Sequence, residues 1–82
     1  MMNVHVSFYS YFKELTGITQ ITEPLPEGST IDDLCRLLGD RFPKLAGMRK
    51  ATLIAVGVEY QSGNYVLKDG DEVSLFPPVQ GG

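Results

Sequence analysis

Apolar and polar residues alternate from the start of the chain. Val4, Val6 and Phe8 interleave with His5, Ser7 and Tyr9, the period of two that marks a half-buried strand. Residues 10–17 then offer a serine in a capping position, one short helical turn and a glycine stop at Gly17. Residues 19–23 are polar-alternating and predict a second strand, broken by Pro24, Pro26 and Gly28. The period changes after Ser29 and Thr30. Ile31, Leu34, Cys35, Leu38 and Phe42 recur at intervals of three or four and form one apolar stripe, the main helix. Asp32 and Asp33 follow the two hydroxyl residues in a capping-box-like start, with carboxylates at the positive end of the helix dipole, and Pro43 ends the helix. Residues 45–51 read as a connector. Residues 52–60 read as one strand, 62–64 and 67–71 as turns, and 72–76 as the last strand, stopped by Pro77 and Pro78.

The resulting order is strand, strand, helix, strand, strand. It predicts an α+β domain with a mixed sheet covered on one face by a single main helix. The β-grasp arrangement of ubiquitin-like domains has this order. Residues 1–78 form the expected domain, and residues 79–82 a flexible tail that ends in Gly81-Gly82.

Composition narrows the functional classes. With 82 residues the chain is one small domain with little room for a deep substrate cleft. The single cysteine, Cys35, excludes an internal disulfide framework and a Cys-rich zinc site. The single histidine, His5, removes His-pair metal sites and disfavours a Ser/His/Asp triad. No apolar run is long enough to span a membrane, and the first residues have no signal-peptide pattern, so a cytoplasmic protein is expected. Seven Lys and Arg against ten Asp and Glu give a net charge of −3, which argues against nucleic-acid binding.

The most informative segment is the last. By alternation Val73 and Leu75 share the core face, which turns Phe76 to the other side as an exposed aromatic anchor beside the tail. Pro77 and Pro78 cannot extend a sheet and stiffen the exit. Gly81 and Gly82 carry no side chains, so they can thread a channel that any Cβ would block. The reactive group this tail delivers is the carboxylate of Gly82. That carboxylate becomes an electrophile once ATP converts it to an acyl-adenylate. A nucleophile on a partner, such as a persulfide, then displaces AMP, on the way to a thiocarboxylate. Elsewhere the readings are structural. Cys35 lies on the apolar stripe and reads as a small core residue. His5 is a surface residue. Asp69, Asp71 and Glu72 have the spacing of a turn and lack the further ligands of a calcium loop. No metal site is expected.

The run Asp69-Gly70-Asp71-Glu72-Val73, continuing through Phe76-Pro77-Pro78-Val79 to Gly81-Gly82, resembles the C-terminus of the family of small, sulfur-carrying subunits of molybdopterin synthase. Phe12-Lys13-Glu14-Leu15 and Gly17 agree with a basic-Glu-Leu-x-Gly segment near the start of that family. The resemblance covers essentially the whole chain. It departs at Gly57, where many relatives have Asn.

The resemblance implies a ubiquitin-like β-grasp fold and a sulfur-donor role without catalysis by this chain. Gly82 is adenylated by a ubiquitin-activating-type adenylyltransferase that uses ATP; no cofactor is bound by this chain itself. Gly82 then carries the sulfur and Gly81 permits passage into the large subunit. There the thiocarboxylate gives sulfur to cyclic pyranopterin monophosphate, on the way to the molybdenum cofactor. Phe76, Pro77, Pro78 and Val79 lie at the partner interface, in a heterotetramer of two large and two small subunits. A phosphorylated substrate needs basic groups, and none of the seven positive charges lies beside the tail in sequence, which agrees with catalysis in the partner. Glu59, Asp69, Asp71 and Glu72 make the C-terminal part acidic and would steer it toward a basic partner. The rival readings are a sulfur carrier of the thiamine type, a ubiquitin-like modifier joined through Gly82 to lysines, and an interaction domain with an inert tail.

Overall fold

The N-terminal alternation builds strand β1, Met2–Phe8, whose Met2, Val4, Val6 and Phe8 are all buried. The computed structural model describes residues 1–77, and the backbone alone for 48–51. Strand β2, Gln20–Leu25, runs antiparallel to β1, from Ser7 opposite Gln20 to Met2 opposite Leu25. It was expected to stop at Pro24. Instead Pro24 sits inside it, opposite Asn3. β2 is an edge strand, and an edge tolerates the missing amide because one row of its donors has no ladder partner.

Between these strands lies helix α1, Tyr11–Thr16. Gly17 ends it in the left-handed conformation, its amide donating to the Lys13 carbonyl at 2.9 Å. Ser10 occupies the position before the helix, but its side chain makes no capping bond. Its φ of 52° and ψ of −125° lie where side-chain-bearing residues are rarely found, a conformation that costs about 1–3 kcal/mol.

The apolar stripe becomes helix α2, Ile31–Arg41, with Ile31, Leu34 and Leu38 buried and Cys35 half-buried. Its capping box is complete. The Asp33 amide donates to Thr30 Oγ1 at 3.2 Å, and the Thr30 amide donates to Asp33 Oδ2 at 3.0 Å. Chiefly through the Thr30 amide, then the Thr30 hydroxyl, this box holds the Asp33 carboxyl below its usual 3.8. A carboxyl whose folded value is lowered adds stability above its unfolded value and loses it as the pH falls through the folded one. Urea unfolding of wild type and Asp33→Asn is therefore expected to differ most near neutral pH. The difference should fade as the pH drops below about 3.8. A gap that persists in acid would show that the carboxylate is not the stabilising species.

Beyond α2, Pro43–Ala51 winds as a 3-10 segment where a plain connector was expected. Residues 52–60, expected as one strand, form a hairpin. Strand β3 is Leu53–Val56 and strand β4 is Glu59–Tyr60, with Val56 opposite Glu59. Gly57, at φ 63°, supplies the positive dihedral that a tight two-residue hairpin demands, and Val58 at the tip is 99% exposed. The loop after β4 ties down the start of α2: the Ile31 amide donates to the Tyr65 carbonyl at 3.0 Å and the Asp32 amide to the Gly63 carbonyl at 2.9 Å.

Strand β5, Glu72–Phe76, then enters the middle of the sheet. It lies parallel to β1 and antiparallel to β3, which gives the order β2-β1-β5-β3-β4. One mixed five-stranded sheet with α2 across one face is the β-grasp arrangement. Val4, Val6, Leu34, Leu38 and Val73 meet in its core. At the rim of that core Glu23 on β2 is only 2% exposed. Its carboxylate faces Arg41 in the last turn of α2, with Nη1 to Oε1 at 2.8 Å and Nη2 donating to Oε2 at 3.3 Å.

Candidate functional site

Alternation along β5 places Val73 and Leu75 in the core and turns Phe76 to the face away from α2. Three elements bring side chains to that spot. Leu53 on β3 is the register partner of Phe76. Tyr9, just past β1, stacks on the Phe76 ring with centroids 4.8 Å apart and planes 14° from parallel. Tyr60 on β4 presents an edge at 6.4 Å and 71°. Tyr9, Leu53 and Tyr60 are exposed, whereas Phe76 and Pro77 are half-buried. Phe76 was expected as a bare anchor. It is instead the centre of an aromatic patch, covered in part by two tyrosines.

Such rings offer large contact area with few torsions to freeze, the character of a binding surface. The patch surrounds the point where β5 ends and Pro77 follows. Pro78, Val79, Gly81 and Gly82 lie outside the described residues. Tyr9, Leu53 and Tyr60 were not singled out from sequence. They are far apart along the chain, and only the register of β5 between β1 and β3 collects them. The available signal was parity: Tyr9 shares the outward side of β1 with His5 and Ser7.

The remaining candidates serve the fold. His5 is exposed, with Nδ1 3.2 Å from Thr22 Oγ1. Asp69 Oδ1 accepts the Asn3 amide at 2.8 Å and Asp71 Oδ2 accepts the Lys68 amide at 2.9 Å, so both carboxylates brace the turn before β5. Cys35 lines a cavity of about 400 Å³ with Phe12, Leu38 and Leu45, between α2 and the 3-10 segment. Among the described residues no three His, Cys, Asp or Glu side chains gather as a metal site. No helix among them is long and apolar enough to cross a membrane.

Residues 6–82 match the model of the ThiS family. The molybdopterin synthase sulfur carrier subunit of Arabidopsis thaliana is 30% identical over 81 residues, which cover 99% of this chain and 84% of that protein. A chain in the solved complex of subunits 1 and 2 of molybdopterin-converting factor from Helicobacter pylori is 29% identical. It superposes with a TM-score of 0.70, covering 99% of this chain and 100% of that one. Small archaeal modifier protein 1 of Methanosarcina acetivorans is 25% identical, with a TM-score of 0.80 over 100% and 98% of the two chains.

Proposed function

This chain belongs to the ThiS family, and from that premise we propose that it is the sulfur-carrier subunit of a molybdopterin synthase. The observation that carries the proposal is the match, over nearly its whole length, to a protein of that name. The aromatic patch at the root of the tail supports it, because a carrier must dock while its last residues reach into another protein. The domain is then the recognition body, and residues 79–82 are the reactive tail. In the first step a Gly82 carboxylate oxygen attacks the α-phosphorus of ATP on a ubiquitin-activating-type adenylyltransferase, and pyrophosphate leaves. In the second, hydrosulfide attacks the acyl carbon, AMP leaves, and a thiocarboxylate remains. The large subunit then takes the tail, and the sulfur passes to cyclic pyranopterin monophosphate. The Helicobacter pylori complex of subunits 1 and 2 supports such a partner. Two large and two small subunits, and a cytoplasmic site of action, complete the proposal.

Intact mass after incubation with ATP, sulfide and the host adenylating enzyme tests this reading. Exchange of one oxygen for sulfur at Gly82, followed by its loss to the pterin precursor on adding a large subunit, is the expected result. An unchanged mass, with the enzyme competent on another carrier, would overturn it. Loss of sulfur to a thiazole precursor instead would assign the thiamine-type pathway. A second reading is favoured by the likeness to an archaeal modifier protein: attachment through Gly82 to lysines. Isopeptide-linked conjugates from cells expressing the tagged chain would establish it. Phe76→Ala is expected to weaken capture by the large subunit at least tenfold, the loss of an interface anchor. Because Phe76 is half-buried, the domain should lose about 1–2 kcal/mol and stay folded. Full affinity in a titration would remove Phe76 from the interface.

A further inference from the structure

We propose that the Asp69–Gly70 linkage is a latent self-modification site, able to rearrange to an isoaspartyl linkage, and that the main chain of Asn3 holds it dormant. The chemistry belongs to the turn before β5 and is independent of what the tail carries.

Asp69-Gly70 is the single Asp-Gly pair in the sequence, which has no Asn-Gly pair. In such a pair the glycine amide nitrogen can attack the aspartyl Cγ, because no side chain on the second residue crowds the approach. The new C–N bond forms, the amide proton goes to solvent, and a carboxyl oxygen leaves as water. Water then opens the five-membered imide. Opening at the main-chain carbonyl leaves the chain running through Cβ, one carbon longer, with a free α-carboxylate beside it. One water leaves and one returns, so no other reactant is needed. Both residues are exposed, and a Cβ added at Gly70 would meet nothing within 4 Å, so the turn is open toward solvent.

Two bonds stand in the way, and one residue makes both. The Gly70 amide donates to the Asn3 carbonyl at 2.7 Å, and the Asn3 amide donates to Asp69 Oδ1 at 2.8 Å. Nucleophile and electrophile are thus each tied to β1. A bonded amide also keeps its proton until the bond opens, which is why such amides exchange slowly with solvent. The rest of the turn holds the same shape. Gly70 sits at φ 86°, the Asp71 amide donates to the Lys68 carbonyl at 3.0 Å, and the His5 amide to the Asp71 carbonyl at 2.9 Å. Asn3 lies outside the β1–β5 ladder, whose first pair is His5 with Glu72. Release of the chain up to Asn3 therefore frees the site while that ladder stands. Met2 beside it is buried, which keeps such release infrequent. Rearrangement lengthens the turn that feeds β5 and displaces the carboxylate that Asn3 binds.

The test holds the full chain at neutral pH, folded in buffer and unfolded in urea. Isoaspartate in the peptide that spans the turn is read by methyl transfer from labelled S-adenosylmethionine, with an isoaspartyl methyltransferase as the probe. The unfolded chain is expected to gain the label about tenfold faster than the folded one, or more. Asn3→Pro deletes the amide that binds Asp69, and the folded variant is expected to gain label several-fold faster than folded wild type. Asp69→Glu is expected to remove the signal in urea, because the longer side chain would have to close a six-membered ring. No label in unfolded wild type, or label that survives Asp69→Glu, would overturn the site. Equal rates for folded and unfolded wild type, or a wild-type rate in folded Asn3→Pro, would overturn the guard. Hydrogen exchange at the Gly70 amide of wild type keeps the test decisive if Asn3→Pro fails to fold. That amide is expected to be protected to the degree that rearrangement is slowed, and an unprotected amide would overturn the proposal.

Discussion

Deleting Gly82, or replacing Gly81 by leucine or tryptophan, is expected to abolish sulfur loading and leave the melting of the domain unchanged. The two halves of that outcome have separate causes. Among the described residues the sheet ends at Phe76 and the core is built from β1, α1, β2, α2, β3 and β5, all at least five residues before the glycines. The chemistry depends wholly on a main-chain carboxylate. Without Gly82 the carboxylate sits one residue short of an active site shaped for the longer tail. With a branched or aromatic residue at position 81, a channel that admits bare backbone is closed by the first side-chain atom. Intact mass after the loading reaction and a circular-dichroism melt measure both halves on one sample. Loading at the wild-type rate by either variant would show that the tail is not the reacting element. Coincident loss of loading and of fold would show that the tail is structural.

Arg41→Ala is expected to cost about 2–3 kcal/mol, a large share of the margin of so small a domain. Glu23 is 2% exposed, and its carboxylate meets the guanidinium at two points. Removing the arginine leaves a buried charge facing an apolar core rim between Ile21 and Leu25 on one side of β2. The figure stays below the full cost of breaking a buried pair because half of the Arg41 side chain, 51%, is already in water. Arg36 is the internal control. Its partner Asp33 lies 3.3 Å away, but both side chains are well exposed, at 73% and 44%. Arg36→Ala should therefore change stability by less than about 1 kcal/mol. The double variant Glu23→Leu with Arg41→Met should recover most of the loss, since an apolar pair of similar volume removes the desolvation problem. Urea unfolding of the four proteins decides it. Equal effects for Arg36→Ala and Arg41→Ala would mean that burial of Glu23 contributes nothing.

The helices and the last strand were readable because each is written in local signals. Thr30 with Asp33 marks the start of α2, Pro43 follows its end, and the alternation of Val73 and Leu75 defines β5. Three features escaped for physical reasons. Pro24 reads as a strand breaker unless the strand is known to lie at an edge, and edge position is a property of the whole sheet. Residues 52–60 read as one strand because apolar residues continue through the hairpin. Gly57 alone marks the reversal, and a glycine within a β-rich run is ambiguous. The aromatic patch is a product of register. Tyr9, Leu53, Tyr60 and Phe76 come from four segments, and no local pattern states that β5 will slide between β1 and β3.

That insertion has a consequence for how the molecule is made. Strands β1 and β2 form one antiparallel ribbon and β3 and β4 another, and in the described sheet β5 joins the two ribbons. A chain broken off before Glu72 is left with two separate hairpins and no centre to join them. Folding must wait for residues near the C-terminal end to pair with residues near the beginning, the non-local closure that slows formation of a sheet. The same wait acts as a completeness check. The surface built around Phe76 exists only after the last strand has been laid down, so a truncated product has no finished face with which to compete for a partner.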